Sequence, residues 1–154
     1  MLSHTLNVKF WTDTIRIAAE RAPQFIDITE QVVDFLRRTG VVQGMAVIFS
    51  KHTTGAIKLN EYEPELLKDM EAFLGRLAPA DAEYCHNNFE VRTVNMEEDE
   101  CPNGHAHCQH LLLNTSETVP IMNGQLLLGA WQRIFFVELD RPRPRQVLVQ
   151  ILGV

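Results

Sequence analysis

Apolar and polar residues alternate along SHTLNVKFWTDTIRIAAE, which predicts two strands joined around Thr12–Asp13. The next stretch, DITEQVVDFLRRTG, changes period. Val32, Val33 and Leu36 make one apolar stripe, Asp27 and Glu30 have capping-box spacing, Arg37 and Arg38 suit the C-terminal dipole, and Gly40 stops the helix. GMAVIFSKHTTGAIKLNE then reads as one long apolar strand that turns polar at His52. A second helix is predicted over Pro64–Leu77, with proline in its first turn and Leu66, Leu67, Met70, Phe73 and Leu74 at helical spacing.

Between Pro79 and Cys101 the apolar periodicity fades and acidic residues gather in NMEEDE, the pattern of a long functional or mobile loop. HAHCQHLLLNTS is a short helix candidate. The C-terminal third reads as β: ETVPIM, a turn at Asn123–Gly124, a long strand QLLLGAWQRIFFVELD, an Arg-Pro turn and QVLVQILGV. Gly129 inside that long strand predicts a bulge or a close backbone approach. The expected class is α+β, mainly antiparallel sheet with helices packed on one face, in a single domain over residues 1–154.

Composition sharpens this only by exclusion. A chain of 154 residues that is 45% apolar and 22% charged can bury a core without metal or disulfides. Its net charge of −6, with basic residues scattered apart from RPRPR at Arg141–Arg145, argues against a nucleic-acid partner. That run reads either as a solvated turn or as an anion clamp. No stretch approaches the ~20 apolar residues of a membrane span. The N-terminus lacks the features of a signal peptide, and three cysteines make a secreted disulfide framework unexpected, so the cytosol is the expected compartment.

Candidate chemistry concentrates in NGHAHCQH, Asn103–His110. On a helix His107 and His110 share a face; in an extended segment His105 and His107 do. Either way the run supplies at most two metal ligands, and the Cys101–Cys108 spacing matches no common zinc-finger pattern. His52 opens a polar strand end followed by Thr53 and Thr54, which suits a strand opening into a pocket. His86 lies in YCHNNF, and His4 is expected at the surface. Strict alternation would set Gln132 and Glu138 on the apolar face of the last long strand, either lining a cavity or shifted to solvent by a bulge at Gly129.

HTTGAIKLNEYEPELLKDM, YCHN, NGHAH, LLLNTS, VPIMNGQLLLGAWQ and ELDRPRPRQVLVQILG, in this order, resemble the YjbQ-like family, described as secondary thiamine-phosphate synthases. The resemblance runs from about Val42 to Gly153. It implies that His52, His86 and His107, one from each of three separated segments, converge in one pocket as a metal or phosphate site. His105 is then a companion and His110 incidental. It also carries over Asn60, Glu61, Asp69, Asn103, Ser116, Gly129, Trp131, Gln132 and Glu138, and implies a compact homotrimer with the pocket near a subunit boundary. Gly55, Ala130 and Asn114 depart from the usual alanine, threonine and glycine without removing a candidate ligand.

The implied reaction joins a hydroxymethylpyrimidine diphosphate to a thiazole phosphate and releases pyrophosphate, which requires neutralising charge on the leaving group. His52, His86 and His107 would hold a divalent zinc or magnesium ion. Thr53, Thr54 and Ser116 would donate to phosphate, Arg143 would help if its turn folds over the pocket, and Trp131 would offer a flat face to a ring. Glu61 or Glu138 would orient a histidine. Two alternatives use the same histidines: a metal-dependent hydrolase with a carboxylate base, and a trimeric metal- and phosphate-binding protein without turnover.

Overall fold

A computed structural model describes residues 7–154, so His4 lies outside the described residues. The N-terminal alternation forms a single strand, β1 (Lys9–Ala18), rather than the expected two. It pairs antiparallel with the last strand, β8 (Pro144–Gly153), from Lys9 opposite Gly153 to Ala18 opposite Pro144. Thr12 and Asp13 stay inside the ladder because neither forces a turn. Asp13 instead meets Arg38 at 2.7 Å.

A short strand, β2 (Gln24–Asp27), leads into α1 (Thr29–Thr39), which ends at Gly40 in the left-handed region, φ 71°. The expected capping box does not form. Asp27 Oδ1 accepts from the N–H and hydroxyl of Thr29 at 2.9 and 2.6 Å, while Glu30 reaches Arg133 at 3.1 Å. The predicted strand through His52 breaks into β3 (Gln43–Ser50) and β4 (Gly55–Glu61). Gly55 permits the break, because a Cβ there would stand 2.7 Å from the ring of Phe136.

After β4 comes α2 (Pro64–Leu77), as predicted, with Glu63 capping the N–H groups of Glu65 and Leu66. The long loop contains one 3₁₀ turn, Cys85–Asn87, and ends in α3 (Gly104–His110). β5 (Ser116–Met122) turns through Asn123 and Gly124, both at positive φ, into β6 (Gln125–Leu126). The second long strand also breaks: β7 (Gln132–Glu138) starts after a crossover. Gly129 sits in that crossover, so the bulge is absent, and the alternative expectation of a close approach is met by the Gln132 side chain, whose Oε1 would stand 3.3 Å from a Cβ there.

Both breaks send one half of an apolar run into a different sheet. One sheet has the order β1-β8-β3-β5-β6 and the other β2-β7-β4. Ile48, Val149, Ile57, Ile134 and Phe136 fill the space between the sheets together with Val32 and Leu36 of α1. Phe135, Val137 and Ala56 face the opposite way, onto Leu74 of α2 and Ala106 of α3. β7 is therefore buried on both faces, and its alternation selects between two cores rather than between core and water.

Candidate functional site: a histidine cleft

α3 is held by its underside. Ala106 and Gln109 are buried, and Gln109 Nε2 donates to the carbonyls of Leu74 and Ala78 at 3.3 and 3.0 Å, closing the C-terminal end of α2. Asn87 Oδ1 accepts the Gly104 N–H at 2.9 Å, tying the 3₁₀ turn to the start of α3. This brings the rings of His86 and His107 to 4.6 Å between centroids at 67°. His52 sits in the corner between β3 and β4. Its Nε2 lies 3.1 Å from the N–H and 3.2 Å from the carbonyl of Gln146, accepting or donating according to tautomer. The imidazole thus continues the β8 ladder past the end of β3.

His52, Thr53, His107 and His110 border a cleft of about 480 Å³, with Lys51, Cys108 and Thr115 on its walls. Burial holds His52, His105, His107 and His110 below the usual histidine range. Arg145 and Arg143 push His52 the same way and Arg92 does so for His107, while Glu138 pulls His52 and Asp140 pulls His107 in the opposite direction. Near neutrality these rings are uncharged, and the arginines near them are each paired with a carboxylate, Arg145 with Glu138, Arg143 with Asp140 and Arg92 with Glu100. Three of their nitrogens, His86 Nε2, His105 Nδ1 and His110 Nε2, are buried with no hydrogen-bond partner among the described residues; so is Asn103 Oδ1.

Glu138 is fully buried and committed to Arg145, itself 3% exposed. The guanidinium bridges both carboxylate oxygens at 2.5 and 2.6 Å and also donates to Thr54 Oγ1 at 3.0 Å. Glu138 is thus a paired polar residue on an apolar face. Its partner is the last arginine of RPRPR, while Arg141 and Arg143 bind Asp140 at 3.5 and 3.2 Å. The run is neither a free clamp nor only a solvated turn.

Imidazoles with orphaned nitrogens are suitable metal donors, but their placement does not make the expected three-histidine centre. His86 and His107 are adjacent, whereas His52 directs Nε2 at the backbone of Gln146. Among the described residues no three His, Cys, Asp or Glu side chains are grouped to hold an ion.

The family model described as UPF0047 protein YjbQ-like matches residues 13–154. The chain belongs to the UPF0047 YjbQ-like family. Among its relatives is a UPF0047 protein of Methanothermobacter thermautotrophicus, 38% identical over 146 residues, spanning 95% of this chain and 94% of that one. The YugU protein of Bacillus subtilis is 33% identical over 141 residues, with 91% and 98% covered. Among solved structures, a YbjQ-like protein of unknown function from Sulfolobus solfataricus superposes with TM-score 0.86 at 32% identity, covering 96% and 100% of the two chains. A hypothetical protein from Aeropyrum pernix gives 0.83 at 35%, covering 94% and 99%.

In this YjbQ-like chain the residues expected in one pocket are dispersed. Ser116 opens β5 opposite Phe49 and does not itself border the cleft, which its neighbour Thr115 does. Asn103 is buried just before α3, and Thr54 belongs to the Glu138 network. Asn60 and Asp69 instead line an apolar cleft of about 400 Å³ against Met70 and Leu74 of α2. Glu61, Gly129, Trp131 and Gln132 lie at the other end of the β4–β7 pair, where Glu61 faces Gln132 while Gly55 faces Glu138. Six strand steps, roughly 20 Å, separate the two ends.

Conversely, His110, which the resemblance made incidental, lines the cleft, as does Lys51. Arg92 and Arg145 lie near its histidines, each already paired with a carboxylate. Lys51 was readable from its place beside His52; Arg92, anchored to Glu100 at 3.1 Å in the long loop, had no sequence signal.

Proposed function

We propose that this chain acts on a phosphorylated small molecule in the histidine cleft, as an enzyme of the thiamine-phosphate synthase type. One observation carries the reading: His52 and His107 border one cleft with Lys51, which has no ion-pair partner among the described residues, on a chain of net charge −6. An unpaired lysine beside hydrogen-bonding imidazoles on an acidic protein favours an anionic ligand. In the reaction a thiazole ring nitrogen attacks the methylene of a hydroxymethylpyrimidine diphosphate. The C–N bond forms, the C–O bond breaks, and its electron pair leaves on pyrophosphate while the thiazole becomes a thiazolium. Charge builds on the departing oxygen, so cationic groups and N–H donors lower the barrier. Lys51 and Thr53 at the rim would hold the diphosphate. His52 and His107 would take up protons as the anion binds and become donors to it.

No step is routed through a resident metal; zinc or magnesium remains part of the proposal only as an ion supplied in the assay. The ligand is the proposed partner in the cytosol, together with two further copies of the chain in a homotrimer. An apolar outer face of the five-stranded sheet, with Phe10, Met45 and Phe49 exposed, supports that assembly. No described helix is long and apolar enough to cross a membrane.

The test is thiamine phosphate formation from the two substrates with Mg²⁺ or Zn²⁺, in wild type and His107→Ala. Product from wild type and a loss of about a hundredfold in the variant are expected; no product from wild type refutes the reading. A non-catalytic phosphate-ligand binding protein is the second reading. It is favoured over a hydrolase because Glu138 is held by Arg145 and Glu61 stands at the far strand end. It predicts saturable pyrophosphate binding without turnover.

A further inference from the structure

The Asn-Glu and Gly-x-Trp-Gln segments, which the histidine cleft does not use, end together at the far edge of the three-stranded sheet. There Gln132 closes a tight turn: its side-chain oxygen accepts the Gly129 N–H at 2.8 Å, and its own N–H donates to the Gly129 carbonyl at 3.0 Å. The turn pushes Trp131 outward, leaving it 74% exposed. Tyr62 is stacked on buried Phe135 at 6.1 Å and 7°, so its ring is fixed although 54% of the residue is exposed. Tyr62 and Trp131 border a cleft of about 370 Å³ that also contains Asp27, Glu61 and Arg133.

The charges in this cleft are unequal. Arg133 is neutralised by Asp27 at 2.8 Å and Glu30 at 3.1 Å. The Glu61 carboxylate has no ion-pair or hydrogen-bond partner among the described residues, although its backbone N–H is fixed by Asn60 Oδ1 at 2.9 Å. An uncompensated carboxylate beside two aromatic faces attracts cations by charge and by the ring quadrupole, and flat rings by stacking. A neutral apolar ligand would leave Glu61 desolvated, and an anion would be repelled.

We propose that this cleft is a second ligand site, separate from the histidine cleft, for a flat nitrogenous ring carrying positive charge. Glu61 supplies the counter-charge, Trp131 the stacking face and Tyr62 a fixed wall. The site stands whether or not the histidine cleft binds phosphate.

The test follows the Trp131 indole N–H by NMR, assigned through its disappearance in Trp131→Phe. The full-length protein is titrated with 1-methylpyridinium and, separately, with toluene, a neutral molecule of the same shape. Expected are a saturable shift with the cation alone, affinity about tenfold weaker in Glu61→Gln, and most of it kept in Glu61→Asp. His107→Ala should leave the titration unchanged. No saturable shift, equal affinity in Glu61→Gln, or equal binding of toluene overturns the proposal. Loss in Glu61→Asp as severe as in Glu61→Gln, or loss in His107→Ala, overturns it too: the first would mean distortion of the strand end, the second a single continuous site.

Discussion

Replacing Arg145 with Met would leave the Glu138 carboxylate in the core with its two shortest hydrogen bonds removed. Glu138 is completely inaccessible and Arg145 3% exposed, so water cannot stand in for the guanidinium without opening the end of β7. The Asp140 N–H at 3.0 Å would be the only hydrogen bond left to its carboxylate among the described residues, and Thr54 would lose its bond from Arg145. Breaking one partner of a buried pair costs roughly 3–5 kcal/mol. The Thr54 bond, worth about 1 kcal/mol, belongs to the same network and does not simply add. Against a total stability of roughly 5–15 kcal/mol, that is a large share. Urea unfolding at pH 7 should show it as a midpoint lowered by about 2 M if m is near 2 kcal/mol/M. The double variant Glu138→Leu with Arg145→Met removes both charges and should recover most of the loss, since an apolar pair of similar volume pays no desolvation penalty. If Arg145→Met unfolds within about 1 kcal/mol of wild type, or the double variant is no better than the single one, the closed ion pair described here is wrong.

Because burial lowers His52, His105, His107 and His110, the folded protein binds fewer protons than the unfolded chain as pH falls below about 6.5. Stability present above that pH is lost from there down through the folded-state values, and His105→Asn should flatten part of the loss in urea midpoints measured between about pH 7 and 5. If the proposed homotrimer forms through the exposed face of β3, Met45→Lys with Phe49→Lys should convert it to monomers by light scattering; an unchanged mass refutes that contact. Gly44→Ala sets a Cβ against the Leu152 carbonyl in the β3–β8 ladder, with no flexible side chain to yield, and should lower the urea midpoint by an amount equivalent to about 1–3 kcal/mol.

The helices were legible because local rules decide them. The period of Leu66, Leu67, Met70 and Leu74 with Pro64 at the first turn set α2 correctly, and Gly40 stopped α1 where a left-handed residue was needed. The Asn123–Gly124 turn and the loop before Cys101 followed from the same short-range chemistry. The strands were harder. A strand that continues and one that leaves its sheet have the same alternation, so β3–β4 and β6–β7 each read as a single run; the close packing of Phe136 on Gly55, at the start of β4, is a tertiary contact.

By itself, then, the sequence determined the α+β class, the family and the three segments that carry His52, His86 and His107. Only the tertiary structure decided which residues meet. It joined Thr54 to Arg145 and His52 to Gln146, contacts spanning 91 and 94 residues, and it set Glu61 and Trp131 at the opposite strand end. Propensity and periodicity act over a few neighbouring positions, whereas a side chain's partner is chosen by how two sheets pack, which no local pattern encodes.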